Sequence, residues 1–169
     1  MTMYHPMFFT ATILEWKKLL KPSKYKEIVI DSMRFLIKDQ RVKIYAFVIM
    51  DNHIHIIWQI QCGFMKDRVQ MSFLKFIAHQ IKFDLIQNHP QVLEKFYVGA
   101  KDREYQIWER NALSVELPND FIFIQKMDYI HENPVKAGIC QLPSEYLFSS
   151  ARFYENKEMY FDFLTHYLD

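Results

Sequence analysis

An apolar segment that contains two histidines constrains the fold of this chain more than any other feature. Residues 42–59 read VKIYAFVIM, the dipeptide Asp-Asn, and then HIHIIWQ. Two runs rich in β-branched and aromatic residues around a two-residue turn are typical of a β-hairpin. With such a turn, Met50 pairs with His53. Val48 then pairs with His55, and because side chains alternate along a strand, both imidazoles lie on one otherwise apolar sheet face.

The histidine pair has two interpretations. Neutral imidazoles that point to the same spot are suitable ligands for a divalent metal. Taken alone, however, a His-x-His pattern is more often a surface pair or a pair of hydrogen-bonded core residues. The pair therefore indicates a metal site only in combination with a second pattern.

Composition limits the class of protein. The chain has 169 residues, of which half are apolar, and this predicts a single domain that can bury a full core. No apolar run approaches the roughly 20 residues of a membrane span, and the N-terminus does not have the pattern of a signal peptide. Cys62 and Cys140 are too few for a disulfide framework. We therefore expect a cytoplasmic protein that does not contact a membrane.

The remaining segments alternate between strand and helix patterns, and residues 91–102 have no clean period. Ser23 is a plausible N-cap for the first helix, and Pro134 is expected to end or bend the third. Besides the hairpin, the predicted strands lie at residues 7–13, 105–108 and 112–117. The predicted helices lie at 25–36, 72–87 and 121–132, the last of which is the added helix, and a short helix follows from about Ser149. This order predicts an α+β fold of the ferredoxin-like or RRM-like type, an antiparallel sheet backed by helices, with an added C-terminal helix.

The added helix carries the second pattern. Tyr129 and Asn133 are four residues apart, so a phenol and an amide share one helix face. Each also has an ordinary explanation, since a helical tyrosine packs its ring and an asparagine before a proline caps a helix end.

Three motifs together resemble a known family. They are NHIH at residues 52–55, YIHENPVKAG at 129–138 and YLFSSAR at 146–152. In this order they resemble the single-tyrosine (Y1) HUH transposases, specifically the REP-associated tyrosine transposases, over about the whole chain. The resemblance implies one domain over residues 1–169, with a core at 4–140 and a C-terminal extension at 141–169. Asp51 is a departure, because a proline commonly precedes Asn-His in that family.

The resemblance implies a function and a role for four residues. His53 and His55 would bind Mg²⁺ or Mn²⁺, and Asn133 would complete the protein ligands. Tyr129 would be the nucleophile of a metal-dependent DNA endonuclease and strand transferase that forms a 5′-phosphotyrosine. The expected partner is single-stranded or hairpin DNA of palindromic repeat elements, and the protein is expected to be a monomer or a homodimer.

The DNA surface and the general base are less defined. A net charge of +1 is not typical of a nucleic-acid-binding domain. Six cations are candidates for phosphate contacts, although any of them is equally explained as a solvated residue: Lys75, Lys82, Lys101, Arg103, Arg110 and Arg152. His131 and Glu132 are close to Tyr129 in sequence but point to other helix faces, so the base that deprotonates Tyr129 is unassigned.

Two other functions compete with this interpretation. Residues 43–50 resemble the aromatic strand signature of RNA-recognition modules, which predicts a non-catalytic nucleic-acid-binding domain. The histidine pair with a third ligand, such as His79 or Glu132, would instead fit a metal-dependent hydrolase that activates a water molecule.

Overall fold

A computed structural model describes residues 4–155 and 160–169 of the chain. Its strands are β1 (Met7–Thr12), β2 (Val42–Ile49), β3 (His53–Ile60), β4 (Tyr97–Ala100), β5 (Arg103–Tyr105) and β6 (Leu113–Glu116). Its helices are α1 (Ser23–Lys38), α2 (Lys66–Asn88), α3 (Pro90–Glu94), α4 (Asp120–Lys136) and α5 (Ala151–Glu155). Within the described ranges, no helix combines the length and the apolar character that a membrane crossing requires.

The main sheet has four strands in the order β2-β3-β1-β6, and all neighbouring strands are antiparallel. Helices α1 and α2 pack on one face, where their apolar side chains join those of the sheet in the larger core cluster. Helix α4 packs on the opposite face in a second cluster. The predicted α+β fold, an antiparallel sheet backed by helices with an added helix, is therefore confirmed.

The central hairpin has the predicted register. The Met50 N–H donates to the carbonyl of His53 at 2.8 Å, and Val48 lies opposite His55. Ile54 and Ile56 point into the core under α1 and α2. The histidines consequently lie on the α4 face, next to apolar side chains such as that of Ile57.

The C-terminal residues cover the outer edge of β2. Ile49 N–H donates to the carbonyl of Phe148 at 2.9 Å, and Ser150 N–H donates to that of Phe47 at 3.0 Å. Farther along, Thr165 N–H donates to the carbonyl of Ile44 at 2.9 Å. These bonds satisfy backbone groups that an edge strand would otherwise expose.

Several predicted boundaries are wrong. Helix α1 has Pro22 at its N-cap, so Ser23 is helical and does not cap it. Helix α2 begins at Lys66 and not at the predicted residue 72, because its row of buried side chains extends back to Val69. Phe76, which was expected on the buried face, is half exposed. Helix α4 continues to Lys136, past its internal proline. Proline removes only one helical N–H, and the bond from Ala137 N–H to the carbonyl of Asn133, at 3.0 Å, closes the next turn.

The segment between α2 and α4 also differs from the prediction. Residues 91–102, which have no clean sequence period, hold most of α3 and all of β4, and β5 pairs with β4 in a separate two-stranded sheet. Trp108 makes a single bridge to Ile13 and does not belong to a strand. The fourth strand of the main sheet is β6, which falls within the strand predicted at 112–117.

A buried lysine ties the hairpin turn to the loop after β1. The Lys26 ammonium donates to the Asp51 carboxylate at 2.8 Å and to the carbonyls of Leu20 and Lys21 at 2.7 and 3.1 Å. Leu20 N–H in turn donates to the carbonyl of Asp51 at 2.8 Å. Asp51, which follows Met50 in the hairpin turn, thus has a structural partner on α1.

We predict that Lys26→Met destabilises the protein by roughly 2–3 kcal/mol. The change leaves a carboxylate and two carbonyls without their donor, and the loss is smaller than for a fully buried pair because Asp51 is partly exposed. Urea denaturation measures the free energy of unfolding. The control is Lys21→Met at an exposed position, which should change stability by less than about 0.5 kcal/mol. Equal unfolding midpoints for the two variants would contradict the anchoring role.

A second prediction concerns Asp84, which joins α2 to α1. Hydrogen bonds from Lys24 and Tyr25 lower the pKa of this carboxyl from its ordinary 3.8 to about 2. A carboxyl whose pKa is lower in the folded state stabilises the fold above its ordinary pKa and loses that contribution as the pH falls. Between about pH 4 and pH 2, the stability of Asp84→Asn should therefore fall less than that of wild type. Urea denaturation at each pH measures the two stabilities, and parallel curves for the two proteins would contradict this role of Asp84.

Candidate active site

Strand pairing fixes the first histidine. His55 lies on β3 directly opposite Thr10 of β1, and the Thr10 Oγ1 is 2.7 Å from the imidazole Nδ1. The ring of Phe8 stacks on the imidazole with centroids 5.1 Å apart. Burial lowers the pKa of His55 to about 3, with further contributions from His53 and Lys126. The imidazole is therefore neutral at physiological pH, as a metal ligand must be.

The second histidine is fixed by the hairpin turn. His53 Nδ1 is 2.7 Å from the side-chain Oδ1 of Asn52, which only accepts hydrogen bonds, so Nδ1 carries the proton. Burial also lowers the pKa of His53. The centroids of the two imidazoles are 4.8 Å apart. Both rings thus use Nδ1 for a supporting contact, which leaves the two Nε2 atoms for a ligand.

Helix α4 brings the second motif to this pair. Asn119 caps the start of the helix, because its Oδ1 accepts from the N–H of Ile122 at 2.9 Å, and the apolar side of the helix packs on the sheet. Asn133 Nδ2 lies 3.3 Å from His53 Nε2. The Tyr129 ring contacts that of His55 edge-on at 5.5 Å and is 46% exposed, so an external substrate can reach it. Tyr129, Asn133 and the histidine pair therefore meet within one chain.

Two lysines next to Tyr129 were not predicted. Lys126 Nζ lies 5.7 Å from the centre of the Tyr129 ring and 5.1 Å from that of Phe8. Lys136 Nζ lies 6.0 Å from the same tyrosine ring. Lys126 precedes Tyr129 by three residues and Lys136 follows it by seven, and helical spacing alone places both on its face. They give the site a local positive charge despite the low net charge of the chain.

The other titratable residues of the helix have different surroundings. His131 is buried, and its Nε2 lies 2.8 Å from the Oγ of Ser150, which also accepts from the N–H of Phe47. Burial lowers the pKa of His131 to about 4. His79 is exposed on α2, on the opposite side of the sheet from the histidine pair. In the part of the chain that the structure describes, no three His, Cys, Asp or Glu side chains could together hold a metal ion.

The six candidate DNA-binding cations do not form one surface. Four of them line a cleft of about 650 Å³ between α2 and residues 102–110: Lys75, Lys82, Arg103 and Arg110. Both arginines contact Asp102. Lys101 lies in the exposed turn between β4 and β5, and the Arg152 Nε donates to the carbonyl of Ser144 at 2.7 Å. The cleft lies on the α2 side of the sheet, whereas Tyr129 lies on the α4 side.

Comparisons with known proteins bear on the fold. No protein-family profile matches the sequence. No curated protein matches it either. A solved structure of a REP-associated tyrosine transposase bound to a REP hairpin is similar, with a TM-score of 0.68 and 21% sequence identity. The match covers 89% of this chain and 79% of that one. The chain therefore shares the fold of that transposase.

Proposed function

We propose that the protein is a metal-dependent DNA endonuclease and strand transferase of the transposase type, with Tyr129 as nucleophile. The observation that supports it best is the contact of the Tyr129 ring with His55, beside the contact of Asn133 with His53. The structural neighbour binds a REP hairpin. The proposed substrate is accordingly a DNA hairpin of a palindromic repeat with flanking single strands.

The donor set fits a hard divalent cation. The Nε2 atoms of His53 and His55 and the side-chain oxygen of Asn133 would hold Mg²⁺ or Mn²⁺. The two imidazoles are neutral and oriented through Nδ1, and a half-turn of the Asn133 amide exchanges its nitrogen for its oxygen. Such an ion, when bound, polarises the scissile phosphate and offsets charge that develops on it.

Tyr129 of α4 would cleave the DNA strand by exchanging one phosphodiester bond for another. The phenol oxygen of Tyr129 attacks phosphorus and loses its proton, and the bond from phosphorus to the 3′-oxygen breaks. The 3′-oxygen takes up a proton and leaves as a hydroxyl, so one phosphodiester replaces another and no hydrolysis occurs. Attack of a 3′-hydroxyl on the phosphotyrosine reverses the step and joins strands. Lys126 and Lys136 attract the phosphate to the exposed phenol.

The two competing functions lack comparable support. A binding module of the RNA-recognition type stacks bases on the aromatic side chains of an open sheet face. Tyr45 and Phe47 of β2 are buried, the first against Phe123 of α4 and the second against Phe161. A metal-dependent hydrolase would require a third strong ligand, and His79, one of the two candidates, lies on the other side of the sheet.

We predict that Tyr129→Phe abolishes a covalent adduct between protein and DNA. The test incubates purified protein with 3′-labelled single-stranded oligonucleotides that carry repeat hairpins, in the presence of Mn²⁺. Wild type should retain the label under denaturing electrophoresis, because the 5′-phosphotyrosine joins it to the 3′ segment. A chelator should prevent the adduct, and added Mn²⁺ should restore it.

The matched control is Tyr97→Phe, which removes the hydroxyl of a similarly exposed tyrosine on β4 and should leave adduct formation unchanged. Cleavage that persists in Tyr129→Phe would support the hydrolase instead. Binding without cleavage or adduct on every substrate would support a non-catalytic module.

A further prediction concerns Thr10. Thr10→Val removes the hydroxyl that contacts His55 Nδ1 while keeping the shape of the side chain. Loss of such a supporting contact typically weakens metal binding, and we expect about 10–100-fold lower affinity for Mn²⁺ by titration calorimetry. Thr12→Val, on the same strand opposite His53, is the control and should bind Mn²⁺ like wild type. Equal affinities of the two variants would show that the Thr10 contact does not support a metal ligand.

A further inference from the structure

An exposed tryptophan next to the histidine pair occupies an unfavourable backbone conformation. Glu15 and Trp16 both have positive φ angles, of 55° and 58°. This left-handed region is disfavoured for side chains of their size, and two such residues in succession are uncommon. Burial of the indole does not offset the cost of this backbone conformation, because Trp16 is 60% exposed. The stability of the fold therefore gives no reason for a tryptophan at this position.

Contacts on two sides hold this turn in place. Glu15 N–H donates to the Glu109 carboxylate at 2.6 Å, and Leu14 N–H donates to the carbonyl of Ile107 at 2.8 Å. On the other side, the Asn52 side-chain amide donates to the carbonyl of Trp16 at 3.4 Å. Strained conformations persist where their surroundings determine them in this way, and they cluster at functional sites.

The turn presents the indole at the candidate active site. The Trp16 ring contacts that of His53 edge-on, with centroids 5.7 Å apart, and most of its surface remains open. The same Asn52 side chain contacts both His53 Nδ1 and the Trp16 backbone, so one residue fixes the positions of the two rings relative to each other.

We propose that Trp16 is a DNA-contacting residue that stacks on an unpaired base adjacent to the phosphate bound at the histidine pair. The inference rests on the proposed single-stranded substrate. An exposed indole is a platform for any base, because every base has a π face. The exposed Lys18 and Lys21 follow it along the chain, and single-strand sites combine positive charge with aromatic side chains on which bases stack.

The test measures binding in the Tyr129→Phe background, where the proposed covalent step cannot occur. The probes are oligo(dT) and a single-stranded oligonucleotide pool of random sequence. Trp16→Ala should weaken binding about tenfold, whereas Trp16→Phe, which keeps an aromatic face, should remain within about threefold. Phe83→Ala removes an equally exposed ring from α2 and is the matched control, with unchanged affinity expected.

Tryptophan fluorescence locates the contact. Trp58 and Trp108 are buried, at 0% and 8% exposure, so acrylamide quenching reports mainly on Trp16. Bound single-stranded DNA should protect the indole from acrylamide, and a blunt duplex of the same length should protect it less.

A glycine variant separates stacking from packing. Trp16→Gly replaces a strained residue by one that adopts positive φ freely. Its unfolding midpoint should equal or exceed that of wild type while its affinity for DNA falls as in Trp16→Ala. A lower midpoint with unchanged affinity would identify Trp16 as a packing residue and overturn the proposal.

Three further results, all in the Tyr129→Phe background, would overturn it: equal binding with and without Trp16→Ala, no protection of Trp16 from acrylamide, or no binding of single strands. These readouts do not depend on the covalent adduct. Binding and protection without an adduct would leave the stacking role standing and remove the nucleophile, whereas an adduct with no effect of Trp16→Ala would do the reverse.

Discussion

The candidate site depends on the antiparallel register of β1 and β3. Thr10 lies opposite His55, and Thr12 lies opposite His53. A slip of one residue would turn every side chain of a strand to the other face, and both imidazoles would then enter the core under α1 and α2. Alternate isoleucines of β3 fill that core, so the hydrophobic effect enforces the register. The packing of one sheet face thus positions the polar residues on the other.

Burial on the α4 face keeps the two histidines uncharged. Both histidines have lowered pKa values chiefly because they are desolvated, and Lys126 adds positive charge nearby. The proposed ligands, including Asn133, are all uncharged. A cation held by uncharged ligands keeps its charge for the phosphate, and affinity for such ions rises with the number of charged ligands. Under the proposed function, the DNA phosphate would therefore supply the negative charge that the protein ligands lack.

Local patterns predicted the parts of the site that lie close together in sequence. The two-residue turn predicted the pairing of Val48 with His55, and helical spacing predicted the shared face of Tyr129 and Asn133. The contacts that hold these elements in place join segments that are distant in sequence, such as Lys26 with Asp51. A local sequence pattern does not predict such pairs. The strained turn at Trp16 was also missed, because its sequence contains no glycine to mark a positive φ.

The motifs at residues 129–138 and 146–152 act as one structural unit. Along α4, Tyr129 and Asn133 face the histidine pair, and His131 between them points away, as residues two apart on a helix must. His131 is buried against Ser150, which belongs to the later motif and also binds the backbone of β2. Misplacement of a reacting group by about 1 Å can lower a reaction rate by about 100-fold, so the contacts that hold α4 also bear on the position of the phenol. The serine thus contributes to the site through the position of α4, although it contacts none of the four residues that would take part in the reaction.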